Sequence, residues 1–296
     1  MTRPSPAVQD LVVEVDGLPL SGLLAEPMSP PHAVVLALPG NAMLGPYFDG
    51  PVDPDSSLLA LGVGRGFTVW ALDRPGYGAS AGAPDERVDL FGQVDLVHRA
   101  LDRFGDDHAV GAGVFVVAHS YGLKLALAMA ADARGARIIG IDGVGTGYRF
   151  RYEHVRGRDD AIRNDRGAPW GPEHFYPDGT FDRGRLPLGE PPATQGAAES
   201  REWPGVLETI APRITAPVRF TFGDHERMWP IDDESLRELR ALFTASPRVE
   251  TSIQPDAGHN VSLSHAARVY HERALDHAAK CVRDAHGGSG SLGATR

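Results

Sequence analysis

Phe115-Val116-Val117-Ala118-His119-Ser120-Tyr121-Gly122-Leu123 decides how the rest of this chain is read. An apolar run of strand type stops at Ser120, and a helix-forming run over residues 123–131 follows at once. Ala118 and Gly122 lie two positions either side of the serine. A cramped strand-to-helix turn needs small flanks, because its strained backbone leaves no room for bulky neighbours. Such a turn, a nucleophile elbow, exposes a serine hydroxyl and sets helix N-terminal N–H groups beside it. Short x-Ser-x-Gly matches also arise by chance, and Ala118 stands where the first glycine is usual. The surrounding sequence has to carry the assignment.

Outward from the elbow, strands and helices alternate. Residues 11–15 and 18–25 read as a hairpin around Asp16-Gly17. Residues 33–38 form a continuous apolar strand ending at Pro39-Gly40-Asn41-Ala42, and a helical patch spans 56–64. Residues 67–72 form the next strand, which runs into Asp73-Arg74-Pro75-Gly76-Tyr77-Gly78-Ala79-Ser80. Leu90, Val94, Val97 and Leu101 give helical spacing within 88–104. After the elbow come a strand at 137–141 closing at Asp142-Gly143, and one at 218–222 closing at Gly223-Asp224-His225-Glu226. A helix over 235–243, a short strand over 248–254, the turn Asp256-Ala257-Gly258-His259-Asn260 and a helix over 265–282 complete the series. This alternation predicts an α/β fold, a mostly parallel central sheet with helices on both faces. Ligand chemistry then belongs at the carboxyl ends of the strands.

The rhythm fails over residues 145–213, which are rich in Arg, Gly, Pro and aromatics, among them Tyr148, Phe150, Tyr152, Trp170, Phe175, Tyr176, Phe181 and Trp203. A structureless loop of that length is implausible in a compact domain, and the aromatic content argues against disorder. The expected organisation is a core of residues 1–144 and 214–286, an inserted cap of residues 145–213 over the strand ends, and a flexible tail of residues 287–296.

Composition removes several function classes. A formal net charge of −10 over 296 residues argues against a general nucleic-acid binder. The single cysteine, Cys281, cannot form an internal disulfide and lies far from any His/Cys cluster of metal-ligand spacing. No apolar stretch reaches membrane-span length, and residues 1–7 carry no signal-peptide pattern, so a cytoplasmic location without membrane contact is expected. Gly76 and Gly78 fit neither G-x-G-x-x-G nor a phosphate loop, so no nucleotide cofactor, and no cofactor or metal of any kind, is expected.

Taken together, these landmarks resemble the α/β-hydrolase family over nearly the whole chain. The Leu38-Pro39-Gly40-Asn41 turn stands where the family often has His-Gly. Asp73-Arg74-Pro75-Gly76-Tyr77-Gly78-Ala79-Ser80 looks like the family's D-x-x-G-x-G-x-S segment, the elbow follows, and an acidic residue and a histidine close the late strands. The resemblance implies Ser120 as nucleophile, His259 as its base and a carboxylate to orient the imidazole, in that chain order. The family's late G-x-x-D register puts Glu226 on the acid position, with Asp224 as the alternative and Asp142 as an outside candidate. His119 and His225 compete with His259 by proximity only.

The oxyanion hole should use backbone N–H groups of Tyr121 and of the early turn, at Asn41 or at Ala42. Met228 and Trp229, just after the acid, are expected at the pocket or the base of the cap. The implied activity is cofactor-independent hydrolysis of an ester, thioester or lactone of a small to medium apolar acyl substrate. Serine at the elbow argues against the carboxylate-nucleophile chemistry of dehalogenases and epoxide hydrolases. The alternatives are a non-hydrolytic acyltransferase, cyclase or lyase of secondary metabolism, or a catalytically inactive ligand-binding protein. Arg149, Arg151, Arg156, Arg158, Arg163 and Arg166 in the insert could meet an anionic group, though Asp159, Asp160 and Asp165 point to a solvated mixed-charge surface. The oligomeric state is open, a homodimer included.

Overall fold

The computed structural model describes residues 7–151, 170–195 and 197–288. Its strands are β1 (Val8–Val15), β2 (Leu18–Ala25), β3 (Val34–Leu38), β4 (Thr68–Leu72), β5 (Val114–His119), β6 (Ile138–Val144), β7 (Val218–Gly223) and β8 (Val249–Gln254). They form one eight-stranded sheet in the order β1-β2-β4-β3-β5-β6-β7-β8. β2 is antiparallel to β1 and to β4, and every other pairing is parallel. The hairpin turn takes positive φ at Asp16 (49°) and Gly17 (73°), the conformation for which Asp-Gly is selected.

The helices are α1 (Leu58–Gly64), α2 (Asp85–Val88), α3 (Leu90–Asp107), α4 (Tyr121–Ala131), α5 (Ala197–Ile210), α6 (Asp233–Ala241) and α7 (Ala267–Gly288). Side chains on a strand alternate between faces, so the sheet splits the core into two apolar layers. Leu36, Leu38, Val116 and Ala118 pack into the layer that holds α3 and α4. Val35, Ala37, Phe115 and Val117 pack into the other, with Leu275 and Ala278 of α7. Burial on both sides explains why β3 to β5 read as unbroken apolar runs rather than alternating ones.

Two expectations need adjusting. The final helix continues through Gly288, so residues 287 and 288 are not part of a free tail, and residues 289–296 lie outside the described residues. The stretch joining β6 to β7 contains α5, which the sequence reading missed. Pro204 and Gly205 interrupt its pattern, yet Trp203, Leu207 and Ile210 keep an i, i+4, i+7 stripe that is buried on the core. Tyr152 and the charged residues at 156, 158, 159, 160, 163, 165 and 166 lie outside the described residues.

Candidate active site

The β5–α4 turn places Ser120 at φ 51° and ψ −119°, a left-handed backbone that L-residues rarely adopt. Its N–H is held by Val144 O at 2.9 Å. A Cβ on Gly122 would come within 2.1 Å of Leu38 O, so the small flank lets α4 close onto the early turn. Tyr121 is the first residue of α4, so its N–H has no acceptor within the helix.

His259 follows β8 and is 4% exposed. Its Nδ1 lies 2.8 Å from Glu226 Oε2. Glu226 is 3% exposed, and its other oxygen accepts the Met228 N–H at 2.8 Å. Burial alone would raise the Glu226 pKa. The His259 charge and hydrogen bond, with the N–H groups of Met228 and Arg227, together outweigh it and hold the carboxyl below its ordinary value. Of the two acid candidates, Glu226 therefore touches the imidazole. Asp224 instead accepts the N–H groups of Asp256 and Ala257, each at 3.1 Å, and shapes the loop that carries His259. Asp142 faces α7, paired with Arg219 at 2.5 Å and 3.2 Å from His277 Nδ1.

Gly145 and Thr146 link the serine and histidine segments. A Cβ on Gly145 would lie 2.7 Å from His259 Cε1, while Thr146 Oγ1 donates to Ser120 O at 2.8 Å. The Glu226–His259 contact is closed; among the described residues no hydrogen bond joins Ser120 Oγ to the imidazole. Such bonds are often loose without substrate and tighten in the complex. His119 packs behind the site, stacked on Tyr47 at 4.7 Å and edge-on to His259 at 4.9 Å. Burial, then the neighbouring His259, pushes its pKa well below the usual value. His225 packs edge-on against Phe175 at 4.8 Å.

The early turn borders the serine: a Cβ on Gly40 would lie 3.1 Å from Ser120 Cβ. Ala42 takes φ 59°, and its N–H donates to Tyr77 Oη at 3.2 Å. Of the two early-turn donors, this leaves the N–H of Asn41, an exposed residue. The segment after β6 also grips this turn, through Leu44 N to Pro187 O at 2.9 Å and Gly189 N to Ala42 O at 3.1 Å. Trp229 is buried against Phe150, ring centroids 4.0 Å apart, and Met228 is half-buried beside it.

Two groups escaped the sequence reading. Arg74 is fully buried beneath the turn, where its Nε donates to Pro39 O at 2.8 Å and its Nη2 to Gly40 O at 3.1 Å. Burial lowers its pKa, against the favourable pull of Tyr77 and Tyr121. Lys124 of α4 is paired with Glu199 of α5 at 2.9 Å, and its ammonium lies within 6.0 Å of the rings of Tyr121, Phe150, Trp203 and Trp229. A lysine inside an otherwise apolar helix was a visible signal of a buried partner.

Among the described residues no group of three or more His, Cys, Asp or Glu has metal-holding geometry, and no helix is long and apolar enough to cross a membrane. The profile of a family described as the Alpha/beta hydrolase family matches residues 34–272. No curated protein matches the chain. Among solved structures it is similar to a thermostable carboxyl esterase from Bacillus coagulans crystallised with glycerol, with TM-score 0.67, 16% identity, and 93% and 99% of the two chains covered. A predicted CIB-like hydrolase from Thermoplasma acidophilum aligns with TM-score 0.60 at 14% identity, covering 93% of this chain and 99% of that one. A thioesterase domain from the curacin biosynthetic pathway aligns with TM-score 0.57 at 18% identity, covering 91% and 99%.

Proposed function

The chain belongs to the alpha/beta hydrolase family, and from that premise we propose that it is a serine hydrolase cleaving an ester, thioester or lactone of a small to medium apolar acyl substrate. His259 takes the proton of Ser120 Oγ as that oxygen attacks the carbonyl carbon. Glu226 keeps the Nδ1 proton in place and stabilises the imidazolium. The N–H groups of Asn41 and Tyr121 receive the oxyanion. The imidazolium then gives its proton to the leaving group, and water activated by His259 releases the acid from the acyl-enzyme.

The observation that carries this reading is the buried Glu226–His259 contact of 2.8 Å, with Ser120 held at φ 51° and tied through Thr146 to the Gly145 that lies against that imidazole. The segment after β6 fits the part of a cap. Its Trp170 carbonyl lies where a Cβ on Gly258 would be 2.1 Å away, and α5 lies over the nucleophile helix. Apolar and aromatic groups such as Met43, Phe150 and Trp170, in the segments that follow the carboxyl ends of β3 and β6, favour an apolar acyl group. The esterase and thioesterase among its structural neighbours are in keeping with this chemistry.

The test is turnover of a p-nitrophenyl ester together with labelling by a fluorophosphonate. Ser120→Ala is expected to lower kcat by about 10⁴-fold or more while the fold persists, and peptide mapping should find the wild-type label on Ser120. A variant that retains near-normal turnover, or a label on another residue, overturns the assignment.

A further inference from the structure

The turn beside Ser120 rests on a buried cation that has no counter-ion of its own. Arg74 is 0% exposed, and all its partners are neutral: the carbonyls of Pro39 and Gly40, and the amide oxygens of Gln93 at 2.9 Å and Gln195 at 3.0 Å. Its guanidinium lies over the rings of Tyr77 and Tyr121, at 4.7 and 4.5 Å. Among the described residues no carboxylate is ion-paired with it, and the negative charge of nearby Glu199 is taken up by Lys124. Burying a lone charge is costly, and neutral side chains could fill the same space for less. Packing does not account for an arginine there.

The Gly40 carbonyl that Arg74 holds and the Asn41 N–H belong to one peptide group. In a trans peptide these two point in opposite directions. A guanidinium holding the oxygen from the core side therefore turns the N–H away from the core, towards the exposed face where Asn41 lies. A charge-assisted hydrogen bond on the oxygen also polarises the amide, which makes its N–H a stronger donor.

We infer that Arg74 is a positioning residue for the oxyanion site, acting through the Gly40–Asn41 peptide to aim and strengthen the N–H that meets the tetrahedral intermediate. This rests on the serine-hydrolase reading and adds a residue to it. Gln195, from the stretch between β6 and β7, belongs to the same device. Its Oε1 faces both Arg74 and the Tyr77 hydroxyl, and that hydroxyl in turn holds Ala42 N and lies 2.7 Å from Asn41 Oδ1. Seating of that stretch is thereby connected to the shape of the turn.

Two variants test the idea, assayed with a p-nitrophenyl ester as substrate and phenylboronic acid as a tetrahedral anionic mimic. Arg74→Gln removes the charge, and kcat should fall by about 10- to 100-fold, somewhat less than for loss of an oxyanion donor outright, with KM little changed. Boronate affinity should fall by a similar factor. Because Arg74→Gln can also unfold the core, Gln195→Glu is the second variant. It keeps the shape and sets a carboxylate beside the guanidinium, so the melting temperature should hold or rise while kcat and boronate affinity fall. A purely structural role would not move stability and catalysis in opposite directions. A folded Gln195→Glu protein with wild-type kcat and boronate affinity overturns the role of Arg74 while leaving the serine reading intact. A wild-type protein that neither binds boronate nor takes a fluorophosphonate on Ser120 overturns both.

Discussion

At the scale of single residues, chain order and loop position carried much of the candidate site. Ser120 could be proposed because it follows an apolar strand directly between small neighbours, and His259 because the resemblance places the base histidine after the last strand. The family register favoured Glu226 over Asp224, but the residues alone do not separate two carboxylates two positions apart, since the outcome depends on which way each side chain leaves the turn. In the structure Glu226 reaches the imidazole, and Asp224 ties down the backbone of the next loop. The two should separate by assay. Glu226→Gln is expected to lower kcat by about 10³- to 10⁴-fold with little change in melting temperature. Asp224→Ala should keep most of kcat yet cost about 1–3 kcal/mol of stability, from two lost hydrogen bonds to a charged acceptor, as read by urea unfolding. The reverse pattern would move the acid to Asp224. Arg74 stands in the motif after β4, but its role is not legible there, because its partners lie up to 121 positions away along the chain.

At the scale of elements, the long apolar strands and amphipathic helices were legible because periodicity reports local burial. α5 was not, since Pro204 removes an N–H from its middle and small residues dilute its stripe. What holds α5 to α4 is a salt bridge closed off from water, with side-chain exposures of 5% for Lys124 and 17% for Glu199. Burial pulls the lysine pKa down, and Glu199 pulls it back up. Removing one partner leaves an unmatched charge among four aromatic rings. Glu199→Ala should therefore destabilise by about 3–5 kcal/mol, while Lys124→Met combined with Glu199→Leu should recover most of that loss. Chemical denaturation of the three proteins decides it. A single variant as stable as the wild type would mean that α5 is held by Trp203, Leu207 and Ile210 alone.

For the molecule as a whole, alternating strands and helices made the mostly parallel, helix-flanked sheet readable before any contact was known, whereas the strand order β1-β2-β4-β3-β5-β6-β7-β8 came only with the pairings. Buried histidines were less so, because a histidine reads alike on a surface and in a core. His98, His119 and His271 are all buried, and burial lowers each pKa, that of His271 to about 4. Unfolded, they take up protons near the ordinary histidine value of about 6.5, while the folded form refuses them. Stability should be unaffected by these groups above that value and decline as pH falls from about 6.5 towards 4. Urea midpoints measured across that range should drop steadily, and His271→Asn should flatten the decline. A flat wild-type profile would show that these rings are protonated in the fold.

The backbone of Ser120 has a longer reach than its own turn. Glycine would occupy φ 51° without penalty, whereas serine holds it only because the surrounding sheet and helix enforce it. Ser120→Gly is therefore expected to relieve the strain and raise the melting temperature, read by thermal unfolding, while removing the hydroxyl on which the proposed chemistry depends. The stability given up at this turn is thus the measurable counterpart of seating a hydroxyl there, a seat to which the serine-hydrolase proposal gives a use.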